Sequence, residues 1–344
     1  MDKHHRFEFL DGLRGVAAFA VVIMHYTQQH GKATGIFGSA GLAVDLFFCL
    51  SGFVIAWSYY QKLLDGMSFS VYLKKRLVRL YPMFLIGSTL GILGFLIKFI
   101  HGTNTYSLLE VIKAGVVNSF YLPYFVNRQV DQIHAVFLLN PPSWSLFFEL
   151  VANVVFIFTI RFSKTLLVGL TILFGILLIF AGAAFHTSPG WSTTNFIGGF
   201  PRVGYSFMLG VLIFKFFDFS EKIPRVSCFW IIFALTICFL VPSFQKWVYY
   251  WLLGALFLMP LIVLLGSRVD VKQPLLSKLF VYLGWISYPI YCLHSPLLGI
   301  WESISPMPDK YNVGLLILFP LTILITHLIA KYIDNPVRAW LSRR

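Results

Sequence analysis

The chain has 344 residues, of which 58% are hydrophobic, 18% aromatic and only 12% charged, with a mean hydropathy of +0.78. Soluble domains carry about 25% charged residues, so this composition excludes a soluble globular protein and makes the chain a polytopic membrane protein. The net charge of +13 would point to nucleic acid in a soluble chain, but Lys and Arg accumulate in cytoplasmic loops of membrane proteins, so it reads as topology, with no nucleic-acid partner.

In chain order, the N-terminus MDKHHRFEF is basic and precedes an apolar run, as in a signal peptide, but Asp11 and Arg14 interrupt that run and further spans follow. The first span, FLDGLRGVAAFAVVIMHY at 9–26, carries Arg14 and His25, eleven residues apart. That spacing is about 1100° of helical turn, roughly 20° past three full turns, with ~16.5 Å of rise, so both side chains point the same way. An ionisable group in a span costs at least ~2.5 kcal/mol and is turned toward the bundle interior, so the two outline an internal path. Further apolar stretches long enough to cross ~30 Å of hydrocarbon lie at 41–60, 82–100, 142–161, 164–185, 196–217, 227–242, 247–266, 279–299 and 312–333. A run at 107–126 contains Glu110, Lys113, Asn118 and Pro123 and makes a poor lipid-facing helix.

The positive-inside rule bears on that run. Most of the 27 Lys and Arg share one face only if 101–141 stays on the other side. The inner set then runs from Lys3 and Arg6 through Lys62, Lys74, Lys75, Arg76 and Arg79 to Arg338, Arg343 and Arg344, while Lys32, Lys98, Lys113, Arg128, Lys246 and Lys310 are outer. The expected fold is an all-α bundle of about ten transmembrane helices plus one re-entrant or surface helix at 107–126, both termini cytoplasmic. Residues 1–344 are expected to form a single membrane domain with no fused soluble domain. Cys49, Cys228, Cys238 and Cys292 stand alone in apolar runs, without the Cys/His spacing that zinc prefers, so no metal is expected.

The polar residues inside the spans gather at two levels. His25, Asp45, Glu149, Arg202 and His294 fall roughly 5–10 Å below the outer surface at 1.5 Å per residue, where they can share a site. Near the inner face, Lys74, Lys75, Arg76 and Arg79 serve either as an anchor on anionic headgroups or as an anion cradle. Arg76 and Arg79, three apart, put two guanidinium forks on one helix face, which suits a diphosphate or phosphomonoester. Asp45 and Glu149 either act in the site or neutralise Arg202. Ser51 beside Gly52 suits close helix packing or a substrate contact. Tyr288, Tyr291 and His294 lie where interfacial groups reach water, and Trp144, Tyr121, Tyr124 and Trp191 are either sugar-stacking or ordinary interfacial aromatics; His186 and His327 read as structural. Histidine with a carboxylate is general-base equipment. The same residues would also make the proton relay of a polytopic transporter or flippase, a class that usually shows Gly/Pro-broken helices in matching halves, which this sequence lacks.

Five motifs narrow the choice: LDGLRGVAAFAVVIMH with Arg-x10-His at Arg14 and His25, VDLFFCLSGFVI at 44–55, RLVRLYP at 76–82, SWSLFFE at 143–149 and ISYPIYCLHSP at 286–296. By these the chain resembles the integral-membrane acyltransferase family 3, whose members O-acylate extracytoplasmic carbohydrates, over nearly its whole length and in the family's order. The resemblance implies that acyl-CoA, with acetyl-CoA the expected donor, docks from the cytoplasm at Lys75, Arg76 and Arg79 and threads its arm past Arg14. It implies that His25 acts as general base or briefly carries the acyl group, oriented by Asp45 or Glu149, with Ser51, Tyr288, His294, Arg202 and Trp144 contacting substrate. It further implies a multi-pass protein of the bacterial inner (cytoplasmic) membrane acting on an extracytoplasmic or lipid-linked carbohydrate such as lipopolysaccharide O-antigen or exopolysaccharide. Some members carry a fused hydrolase-like domain; without one, the expectation is a stand-alone enzyme or one that hands its acyl group to a separate periplasmic partner.

Overall fold

The computed structural model describes residues 7–28, 35–103, 106–125, 135–242, 247–304 and 310–343. Lys3, Arg6, Lys32, Arg128, Lys246 and Arg344, which enter the charge distribution above, lie outside these residues. The helices are α1 (Glu8–Thr27), α2 (Ala43–Leu64), α3 (Phe69–Ile100), α4 (Leu108–Ser119), α5 (Ser143–Thr159), α6 (Lys164–Phe185), α7 (Gly199–Lys215) and α8 (Cys228–Leu240). They continue with α9 (Trp247–Leu253), α10 (Met259–Gly266), α11 (Pro274–Ile304), α12 (Lys310–Val313), α13 (Phe319–Ile329) and α14 (Asn335–Arg343). π-helical turns at Gly254–Leu258, Gly314–Leu318 and Ala330–Asp334 make α9–α10 and α12–α14 two continuous helices.

Among the described residues, seven helical segments are long and apolar enough to cross a membrane, and α5 and α8 are shorter apolar helices. Backbone groups have no water to bond inside a bilayer, which is why the spanning structure is helical throughout. The protein is a multi-pass membrane bundle. α2 lies at its centre, with 72% of its apolar stretch buried, and α6 at its rim, with 28%. The rim turns Ile172, Ile176 and Phe180 of α6 outward, as lipid-facing side chains do.

Pairwise register fixes the helix directions. α1 and α11 run parallel: Phe9 meets Phe280, Gly15 meets Leu283 and His25 meets His294. α3 is parallel to α11 as well, through Leu80 with Tyr288, Gly87 with Cys292 and Gly94 with Ser303. α2 opposes α1, since Phe53 packs on Phe7 near one end and Phe47 on the cluster of Val22 and Tyr26 near the other. α7 follows α2 through Asp45 with Arg202 and Tyr60 with Lys215, and α5 follows α7 through Phe148 with Phe200 and Phe156 with Phe207. α3 and α5 therefore point in opposite directions, so the segment between them begins and ends on one side. α4, 12 residues long with a Ser107–Glu110 capping box, rises only about 18 Å, short of the ~30 Å of hydrocarbon, and falls within the re-entrant or surface helix expected at 107–126.

Two helices are longer than their apolar runs. α3 passes through Pro82, and α11 through Pro289 and Pro296. Proline removes the hydrogen bond to the carbonyl four residues earlier, and a spanning helix accepts this when a neighbour re-satisfies the freed group. Pro296 frees the carbonyl of Cys292, which accepts from Asn140 Nδ2 at 2.9 Å. Gly87 makes room for the bond, because a Cβ there would stand 2.6 Å from that carbonyl oxygen and 2.7 Å from the Asn140 amide nitrogen.

If α4 stays on one face, single cysteines at the exposed positions Thr103 and Leu122, introduced into a cysteine-free background, will both react with an impermeant maleimide added to the same side of sealed vesicles. Labelling of the two from opposite sides would overturn the assignment.

Candidate active site

α1, α2, α3, α5 and α11 line a partly open cavity bounded by Arg14, Arg76, Arg79, Glu149, Ser51, Ser145, Tyr288, Tyr291 and apolar side chains. Arg76 is 3% exposed and meets Glu149 Oε1 at 3.4 Å, while Ser51 Oγ donates to the same oxygen at 2.9 Å. Arg14 is paired with Asp11, one helical turn earlier. Arg79 also lines the cavity and is an exposed residue. The Nε–H groups of Arg14 and Arg76 are buried without a protein acceptor. Three guanidinium groups facing one lining carboxylate inside a bundle are costly, and an anion with several oxygens would offset that cost and accept the spare N–H groups. Lys75 is exposed and outside the cavity lining. The tyrosine hydroxyls are held in place: Tyr288 donates to the carbonyl of Leu80, and Tyr291 lies 2.9 Å from Ser145 Oγ and donates to Pro142 O at 3.4 Å.

On the far side of Tyr291, His25 Nδ1 lies 2.9 Å from His294 Nε2, with the two rings within 7° of parallel. His294 is fully buried, and its Nδ1 lies 3.0 Å from the carbonyl oxygen of Ile290. A carbonyl only accepts, so His294 Nδ1 carries the proton and Nε2 of the neutral ring is an acceptor. His25 Nδ1–H is then the donor, and the lone pair of neutral His25 sits on Nε2. Tyr26 tightens the junction by bonding the carbonyl of His294 at 2.9 Å and Thr322 Oγ1 at 2.7 Å.

The other residues expected at the histidine's level are engaged elsewhere. Arg202 donates from Nε to Asp45 Oδ1 and from one terminal nitrogen to Oδ2, both at 2.8 Å, with the two residues 1% and 0% exposed. Its remaining donors reach Pro189 O and Gly41 O, at 3.1 and 3.2 Å. Trp144 and Trp251 cover the guanidinium, with ring centroids 5.2 and 5.0 Å away, and Trp251 Nε1 also donates to Asp45 at 3.0 Å. Asp45, Arg202 and Trp144 thus form a closed clamp joining α2, α7 and the start of α5, and Glu149 belongs to the cavity beside Arg76. Tyr121 is buried against Phe84, with centroids 4.1 Å apart. Trp251, Ser145 and Phe47 carry no polar pattern that marks them in the sequence; only tertiary contact brings them to these sites. Among the described residues no three His, Cys, Asp or Glu side chains converge as metal ligands.

A family model described as an acyltransferase domain matches residues 7–331. "Protein 2 in picA locus" of Rhizobium radiobacter is 39% identical over 160 residues, covering 44% of this chain and 81% of that protein. Acyltransferase MdmB of Streptomyces mycarofaciens is 33% identical over 152 residues, covering 41% of this chain and 36% of that protein. Peptidoglycan O-acetyltransferase OatA of Listeria monocytogenes is 24% identical over 363 aligned positions, 96% of this chain, which spans 55% of that relative's length. No solved structure matches.

The clamp carries a stability prediction. Asp45→Ala or Arg202→Ala leaves a buried charge unpaired and is expected to cost about 3–5 kcal/mol, whereas Asp45→Leu combined with Arg202→Met restores most of the loss. Thermal unfolding in detergent reads both effects, with Lys75→Gln, at an exposed position, as a control that leaves the midpoint near the parent's. A parent-like midpoint for Asp45→Ala would remove the clamp's structural role.

Proposed function

The chain belongs to the acyltransferase family described by that model, and we propose that it moves an acetyl group from cytoplasmic acyl-CoA to a hydroxyl of an extracytoplasmic carbohydrate. The observation that carries this reading is a three-arginine cavity lined by Tyr291, whose ring neighbours His294, the partner that sets the tautomer of His25. The similarity to MdmB and OatA, an acyltransferase and a peptidoglycan O-acetyltransferase, supports the reaction class and a glycan acceptor. The bundle would sit in a bacterial inner membrane with the N-terminal end of α1 and its arginine facing the cytoplasm, and the C-terminal end with His25 facing the acceptor. This scheme needs no separate extracytoplasmic partner, because His25 is itself only half-buried.

In the proposed reaction the phosphates of acyl-CoA lie against Arg14, Arg76 and Arg79, and the thioester reaches His25. Nε2 takes the proton of the acceptor hydroxyl as its oxygen attacks the thioester carbonyl. The tetrahedral adduct expels the CoA thiolate, which takes the proton back from His25, leaving an ester and a free thiol. A stepwise route uses the same lone pair as nucleophile, forming an acyl-imidazole that the acceptor then cleaves. In both, His294 holds His25 in the productive tautomer and shares the charge of the transient imidazolium.

His25→Ala is expected to lower transfer by ~10²–10⁴-fold, the usual worth of a positioned general base, while acyl-CoA binding persists. The measurement is transfer of labelled acetyl from acetyl-CoA to the cell's own glycan in membranes matched for protein. His294→Phe keeps the ring volume but loses the acceptor, so transfer falls while coenzyme binding persists; near-normal transfer by either variant would place the chemistry elsewhere.

Arg76→Gln with Arg79→Gln is expected to weaken acyl-CoA binding to the purified protein in a membrane mimic. A parent protein that binds no CoA compound at all would favour a transporter or flippase over this reading.

A further inference from the structure

The cavity does not open directly onto the histidine pair. Tyr291 lines it, and the Tyr291 ring centroid stands 5.8 Å from that of His294, which in turn bonds His25. Phe47 also lines the cavity and packs edge-on against Tyr291, with centroids 5.6 Å apart and planes at 87°. The same Phe47 packs against the cluster formed by Ala18, Val22, Tyr26, Ile290 and Leu318, the apolar surroundings of His25 on α1 and of His294 on α11. The two rings form an aromatic wall between the arginines and the histidines.

The halves of the wall differ in how they are held. Tyr291 is fixed by its ring contacts and by its hydroxyl at Ser145 Oγ and Pro142 O, so it cannot turn without breaking polar contacts inside the membrane. The Phe47 side chain has only apolar contacts to keep its rotamer, but its backbone is held two residues away, where Asp45 is locked by Arg202. A phenyl ring on an anchored helix gives a gap whose width is set by ring volume.

We propose that Phe47 and Tyr291 set the length of the acyl group that can be presented to His25, making this a short-acyl site. The inference rests on the acyltransferase reading above and adds the identity of the residues that choose among donors. A thioester arm that passes the wall leaves the volume beside the rings to the acyl group, and each further methylene must displace phenyl carbon. One methylene too many in a fitted apolar pocket is worth roughly tenfold or more in discrimination.

The test compares initial transfer rates from acetyl-, butyryl- and hexanoyl-CoA in the parent, Phe47→Ala, Phe47→Leu and Phe47→Trp, with acyl-CoA binding measured on the same preparations. The parent is expected to prefer acetyl. Phe47→Ala should raise the hexanoyl-to-acetyl ratio by roughly tenfold or more, Phe47→Leu by less, and Phe47→Trp should lower the butyryl-to-acetyl ratio, all with acyl-CoA binding near the parent's because the arginines are untouched. Phe47→Leu and Phe47→Trp keep the test decisive if the alanine variant does not fold. A ratio that stays at the parent's value in all three variants while the parent is active would overturn the selector and leave the acyltransferase reading standing. A parent inactive with every acyl-CoA would overturn both.

Discussion

The close parallel contact of α1 with α11 is the constraint on which the remaining geometry depends. A Cβ at Gly15 would stand 2.5 Å from the Leu283 side chain, and one at Gly284 would stand 2.5 Å from the Asp11 Cβ. Small residues let helix backbones approach in a membrane, where no hydrophobic force drives helices together. Because the two helices run in the same direction, register set near their beginnings is still kept about ten residues, or ~15 Å, further on. There it sets His25 beside His294. Parallel neighbours so far apart in the chain also require an odd number of crossings between them, so the same contact constrains the topology of everything from α2 to α10.

The buried arginines show two uses of one side chain. Arg202 has an acceptor for every nitrogen, a bidentate carboxylate and two tryptophan rings beside its guanidinium, and such a closed network holds helices together. Arg14 and Arg76 each keep a buried Nε–H without a protein acceptor and share their cavity with Arg79. An incompletely satisfied cation in a low-dielectric interior is costly to stability, and that cost is recovered when an anion arrives. Satisfaction of donors, rather than burial or charge, separates the clamp from the binding surface.

Much of the fold was legible from hydropathy and charge, because a bilayer demands apolar helices of a narrow range of lengths. That 107–126 makes no long apolar span was legible too, from Glu110, Lys113 and the segregation of basic residues, and α4 is indeed only 12 residues long. The common face of Arg14 and His25 followed from helical periodicity alone. Partnership was not legible. Five polar residues at one estimated depth suggested a single cluster, yet depth says nothing about azimuth, and the carboxylates went to different arginines. Asp45 faces Arg202 across 157 residues and His25 faces His294 across 269; no local period encodes such distances. The basic group before Pro82 was placed at an entrance because the apolar run begins there, but α3 starts at Phe69. Arg76 and Arg79 consequently lie two to three turns along the helix, where both line the cavity.

The pairing of His25 with a second histidine has an electrostatic logic of its own. A carboxylate beside the imidazole at this depth would have to be kept ionised away from water, at a cost of several kcal/mol, and it would hold a proton on His25 more firmly in the resting state. A neutral His294, oriented by the carbonyl of Ile290, gives the same directional bond without a buried charge. In the proposed mechanism two neutral rings orient the lone pair, and positive charge arises when a proton is taken. A cation formed in this way is less stabilised than one facing a carboxylate, so it is quick to return its proton. In the proposed reaction, whose leaving group is a thiolate that needs a proton, a base that binds its proton briefly is better matched than one that retains it.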